Sequence, residues 1–148
     1  MRPPPGRGVP VLALLLVVGA SLGCEPARSS GRLRELELPK GFVDVPGEGT
    51  PVNGDLLVMG WALAEGGIED VAIYANGRYV DSAVLGFARP DVATAEPGTP
   101  GAATSGFRVL LAADRLPAGE VMLVVQARTR RGATRDLGAV RVIVPTRQ

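Results

Sequence analysis

An all-β domain is predicted from three observations. From about residue 35 onward, short apolar stretches recur between Gly, Pro, Asn and Asp residues. Several of them alternate apolar with polar side chains, and none keeps a helical period. The candidate strands are 36–45, 55–64, 69–75, 78–84, 106–113, 120–130 and 135–144, about seven in all.

Each strand has its own signal. Segment 36–45 opens the pattern with apolar residues spaced through LELPKGFVDV. In 55–64, Leu57, Met59, Trp61 and Leu63 share a face, and Trp61 is expected to fill the core as a large buried indole. Strands 69–75 and 78–84 flank Asn76-Gly77, both of which tolerate the positive φ that a two-residue type I′ turn requires. That turn would pair Ala75 with Arg78, Tyr74 with Tyr79, Ile73 with Val80 and Val71 with Ser82. Segment 106–113 places Phe107, Val109 and Leu111 on one inward face. In 120–130, Val121, Leu123, Val125 and Ala127 alternate with Gln126, Arg128 and Arg130, so one face is dry and the other wet. Val140, Val142 and Val144 share a face of the last strand, which is expected to complete the domain. Residues 86–105 form the one long connection, in which Asp91 is expected to cap a helical turn over 92–95.

From near Asn53 to Val144 the chain resembles the bacterial immunoglobulin-like modules found in secreted, surface and glycan-handling proteins. The residues that carry the likeness are Gly60-Trp61-Ala62, the Asn76-Gly77 hairpin, Arg89-Pro90-Asp91-Val92, Ser105-Gly106-Phe107 and Leu116-Pro117-Ala118-Gly119. The resemblance implies an immunoglobulin-like, two-sheet antiparallel β-sandwich of about seven strands, with no catalysis by the module itself. Two positions depart from the family pattern: there is no aromatic residue near Glu96 and Thr99, and the last hairpin carries Arg130-Arg131-Gly132 where relatives have an aspartate.

Ahead of this domain lie two further segments, so the expected organisation is 1–23, 24–34 and 35–148. Arg2 and Arg7 precede an apolar run over residues 9–20 that is interrupted by Pro10. At 12 residues the run falls short of the ~20 that a membrane-spanning helix needs, and it reads as an export signal. Ser21-Leu22-Gly23-Cys24 follows, and Cys24 is the only cysteine in the chain. This segment resembles the signal peptide and lipobox of bacterial lipoproteins, although Leu stands at 22 where the usual pattern has it at 21. The resemblance implies cleavage before Cys24, acylation of its thiol with fatty chains such as palmitate, and a lipid anchor at the bacterial cell envelope. Two or more acyl chains hold a protein firmly where one holds it marginally. Secretion after ordinary cleavage, or a free structural thiol, are the alternatives. Residues 24–34, polar with Pro, Ser and Gly, read as a flexible tether.

Composition narrows the chemistry. The chain has no histidine, the commonest general base and metal ligand. Use of Cys24 by an anchor would also remove thiolate chemistry. Adjacent Glu69 and Asp70 point to opposite faces of a strand, which leaves Asp91 and Glu96 as the carboxylates most able to converge; capping and solvation account for them more simply. Asn53 and Asp55 fall well short of a calcium ligand set, and Gly47-Glu48-Gly49 runs into Pro51 rather than a phosphate-binding helix. Of the 16 basic residues, Arg2 and Arg7 precede Cys24, so the part from Cys24 onward carries 14 against 15 acidic. That balance argues against a nucleic-acid binder.

The expected function is therefore a non-catalytic, lipid-anchored module at the cell envelope, without cofactor or metal, contacting the membrane through Cys24 and an envelope protein or glycan elsewhere. The alternative is a small carbohydrate-binding protein using exposed tyrosines and the 86–105 connection. Two surfaces are candidates. Tyr74 and Tyr79 are expected side by side, either as a cross-strand pair that stabilises the sheet or as a platform for a sugar ring or partner. Arg128, Arg130, Arg131 and Arg135 crowd the last hairpin, either as solvated charge or as a contact for anionic envelope material.

Overall fold

Val121, Leu123, Val125 and Ala127 are almost completely buried, whereas Met122 and Arg128 on the same strand face solvent. The two-residue period read in the sequence is thus the period of the longest strands, and two layers built this way enclose the core. The computed structural model describes residues 38–146. Its strands are β1 (Lys40–Val45), β2 (Thr50–Pro51), β3 (Leu56–Leu63), β4 (Ile68–Ala75), β5 (Arg78–Ser82), β6 (Val84–Phe87), β7 (Gly106–Leu111), β8 (Gly119–Thr129) and β9 (Thr134–Val144). One helix, α1 (Pro90–Ala95), and two single 3₁₀ turns, Ala102–Thr104 and Ala113–Arg115, lie in the connections. The expectations for 1–23, for 24–34 with Cys24, and for the first two residues of the 36–45 strand fall outside the described residues. No helix among the described residues is long and apolar enough to cross a membrane.

The strands form a four-stranded sheet, β1-β3-β7-β6, and a five-stranded sheet, β2-β9-β8-β4-β5. All neighbours are antiparallel except the short β2, which runs parallel to β9. The chain is an all-β sandwich, as expected from the strand spacing. Its core is a single cluster to which Val58, Phe107 and Leu111 contribute from one sheet and Ile73, Val121, Leu123 and Val142 from the other.

Register also defines two ends. Lys40 lies opposite Leu63 and Ile68 opposite Thr129, so the start of β1, the β3–β4 turn and the β8–β9 hairpin share one end. Ala75 lies opposite Leu123 and Gly119 opposite Val144, so the β4–β5 turn and the connection into β8 share the other.

Four expectations are corrected. The single strand 78–84 is two strands: the chain crosses from the five-stranded to the four-stranded sheet at Ala83, between β5 and β6. The hairpin register holds for Ala75–Arg78 and Tyr74–Tyr79, but a bulge then pairs Ile73 with Asp81 and Ala72 with Ser82. Extra length on one strand keeps both Ile73 and Val80 buried despite the shift. Trp61 does not lie between the sheets. The inward row of β3 is Leu56, Val58, Gly60 and Ala62, and Trp61 lies half-buried on the outer face, packed with Leu63, Val92, Ala93 and Ala102 beneath α1. Finally, α1 begins at Pro90 with Arg89 at its N-cap position, so Asp91 is not the cap. Proline at the first helical position supplies the preset φ, and its missing N–H leaves no donor unsatisfied there.

Gly60 shows why the inward row of β3 is interrupted. It lies opposite Phe107 across the β3–β7 ladder. A Cβ at Gly60 would overlap the backbone carbonyl oxygen of Phe42 and come within 2.8 Å of Phe107 Cζ. The missing side chain is the space that the Phe107 ring occupies, and Phe107 is 1% exposed. Gly60→Ala is expected to destabilise the domain by about 1–3 kcal/mol, the usual range for overpacking. Urea unfolding of the two proteins measures this, and an unchanged midpoint would contradict it.

Candidate functional site

The β4–β5 turn is built as its sequence requires. Asn76 has φ 48° and Gly77 φ 80°, the positive values of a type I′ turn. Asn76 also fastens the turn to β8: its backbone N–H donates to the Met122 carbonyl at 2.9 Å, and its Oδ1 accepts from the Met122 N–H at 2.9 Å. Next to this fixed turn stand the two tyrosines. Their ring centroids are 6.0 Å apart with planes at 75°, an edge-to-face pair. Tyr74 is half-buried, Tyr79 is 58% exposed, and the Tyr79 hydroxyl lies 3.1 Å from Ser82 Oγ.

Tyr79 borders a hollow of about 430 Å³ at the end of the sandwich away from Leu38. Arg78, Val80, Asp114, Arg115 and Pro117 complete most of its wall. Arg115 Nη1 donates to Asp81 Oδ2 at 2.7 Å, which ties the 113–115 turn to β5 and sets the width of the hollow. Arg78 and Asp114, both exposed, have no ion partner among the described residues. Sequence reasoning found Tyr79 and missed Arg78, Asp114 and Arg115. The Asn-Gly turn was visible as a turn and Leu116-Pro117-Ala118-Gly119 as part of the family likeness, but their meeting depends on the β4–β8 register.

The arginines lie elsewhere. From Tyr74 to Ile68 is six residues of β4, about 20 Å at the rise of a strand, and the β8–β9 hairpin sits beyond Ile68. Arg128 Nε is 3.2 Å from Glu69 Oε2. Arg130 and Arg131 lie along the backbone of Gly67 and Gly66, and Arg135 borders a recess with Pro39 and Lys40. The six candidate surface residues therefore form two groups at opposite ends of the five-stranded sheet. The tyrosines and the 86–105 segment are separated as well, since that segment packs on the outer face of the four-stranded sheet. They do not form one site.

The 86–105 segment is held by charge. Arg89 Nε and Nη2 donate to Asp91 Oδ1 and Oδ2 at 2.9 and 2.6 Å, and Nη1 donates to Asp44 Oδ2 on β1 at 2.6 Å. Lys40 Nζ contacts Glu96 Oε2 at 2.6 Å. Hydrogen bonding from Arg89 holds the Asp91 carboxyl down to about 2 from the ordinary 3.8, and the bond to Asp91 in turn raises the Arg89 guanidinium above its usual value. Of the other acids considered, Asp55 Oδ1 accepts from the Ala113 N–H at 3.4 Å. Glu48 accepts from the Arg141 backbone and side chain at 3.0 and 2.9 Å, with its backbone bond the main cause of a lowered pKa.

With this geometry in hand, comparison with known proteins bears on the fold. No family model matches the chain, and no curated protein matches it. Among solved structures, a structure of the fibronectin(III)-like modules of CbhA from Clostridium thermocellum is similar to this chain, with a TM-score of 0.50 at 14% identity. It covers 74% of this chain, and the chain spans 47% of that structure. CopC from Methylosinus trichosporium OB3b gives a TM-score of 0.40 at 15% identity, covering 73% of this chain and 97% of that one. At the first of these identities the likeness is one of fold, and it agrees with an immunoglobulin-like sandwich.

The Arg89–Asp91 contact makes its contribution to stability above the ordinary carboxyl midpoint of 3.8 and loses it as pH falls through about 2. Arg89→Gln should return the Asp91 midpoint toward 3.8. Carboxyl-carbon NMR titration reads both values; a midpoint that stays near 2 in the variant would show that another group depresses it.

Proposed function

We propose that this protein is a lipid-anchored, non-catalytic binding module at the bacterial cell envelope, held by acylated Cys24. One observation carries the reading: the described chain begins at Leu38 at one end of the sandwich, and the hollow bordered by Tyr79, Arg78 and Asp114 lies at the other. A tether arriving at the first end leaves the second turned away from the membrane. The 14 residues from Cys24 to Leu38 can reach at most about 50 Å.

The anchor itself is supported by the basic start, the short apolar run and Ser21-Leu22-Gly23-Cys24. Support for a non-catalytic role comes from the carboxylates. Asp91 and Glu96, the pair most able to converge, are engaged by different cations, Arg89 and Lys40. A general acid in a glycosidase needs a raised pKa, whereas Asp91 is shifted down.

Metabolic labelling with palmitate should mark the wild type and leave Cys24→Ser unlabelled, and the variant should leave the membrane fraction. Unlabelled wild type would remove the anchor from the proposal and favour secretion.

A further inference from the structure

The hollow at the far end has a specific arrangement of charge. Two cations and two acids stand in or beside it. Arg115 is committed to Asp81 at 2.7 Å, leaving Arg78 and Asp114 without ion partners among the described residues. Tyr79, 58% exposed, borders the same hollow.

We propose that this hollow binds a saccharide bearing a carboxylate, such as a uronic-acid unit, a ligand class that deepens the reading of the chain as a binding module and rests on it. The three groups divide the recognition. The flat apolar body of Tyr79 suits the C–H face of a pyranose. The guanidinium of Arg78 presents paired N–H donors that match a carboxylate. Asp114 accepts from sugar hydroxyls. A simple anion would leave the tyrosine unused, and a neutral sugar would leave Arg78 without a counter-charge.

Size and rigidity agree with this ligand. At about 430 Å³ the hollow lies toward the lower end of the ~300–1,000 Å³ typical of ligand clefts, which suits a short saccharide. Its walls are set before any ligand arrives, by the Asn76–Met122 bonds and by Arg115–Asp81. Pre-set walls reduce the ordering cost of binding.

The test uses the full-length protein in detergent micelles, with cellobiouronic acid and cellobiose as matched probes that differ in one carboxylate. Calorimetry and saturation-transfer NMR should show the acidic disaccharide binding about tenfold or more tighter, an effect of the charge-assisted contact. Arg78→Gln should reduce the acidic disaccharide to the level of cellobiose. Tyr79→Ala should weaken both by about tenfold or more, while Tyr79→Phe, which keeps the ring, stays within about twofold of wild type. A urea melt of each variant establishes that it is folded. Equal binding of the two disaccharides, binding that survives Arg78→Gln and Tyr79→Ala, or no binding of either at about 10 mM, below the weakest affinity worth assigning, would overturn the proposal. Chromatography of the incubated disaccharide separates this result from the broader reading. Release of monosaccharide would end the non-catalytic role, while binding lost in Arg78→Gln and Tyr79→Ala would still support the hollow as a sugar site, and palmitate labelling tests the anchor independently.

Discussion

Exclusion of water from between two sheets is the constraint on which the rest depends. A strand side chain can point only inward or outward, and each inward row must meet the opposite row without a void. Phe107 is the largest fully buried side chain among the described residues, and its ring occupies the place that any residue but glycine would fill at position 60. Close approach of β1 to β3 at Phe42 and Gly60 follows from the same absence of a side chain. Once these rows are matched, the outward positions are released from packing. Trp61 and Leu63 then support α1 on one face, and Tyr74 and Tyr79 stand together on the other.

Charge does a different job from burial in this molecule. Exposed ion pairs contribute little to global stability when isolated, but here they join segments that apolar contact secures only partly. Arg89 binds its own neighbour two residues on and also β1, so the start of α1 is fixed relative to the sheet beneath it. Arg115 joins the connection before β8 to β5, and Arg141 takes Glu48 from the turn after β1. Such contacts set the positions of loops rather than the identity of the fold.

Much of this was legible in the chain itself, for reasons that can be named. Val121, Leu123, Val125 and Ala127 keep a two-residue period because one side of β8 is dry, and Asn76-Gly77 specifies its turn through backbone conformation alone. Trp61 was misplaced because both rows of β3 are apolar: Leu56 and Val58 on one, Leu57, Met59 and Trp61 on the other. Period two groups such residues by face without saying which face is inward. The crossing at Ala83 and the bulge beside Tyr74 have no Gly or Pro at them to mark either in the sequence. The hollow was hidden for a different reason. Arg78 and Asp114 are 36 positions apart and meet only through pairing of β4 with β8.

Opposed ends have a mechanical consequence. Leu38 lies just before β1 at one end, and β9 finishes with Val144 at the other. Tension applied between those points runs parallel to the strands, and antiparallel ladder bonds lie perpendicular to them. The bonds joining β1 to β3 are then strained together in shear instead of being unzipped one by one. A domain pulled between these two points is loaded in the direction in which a sheet resists best.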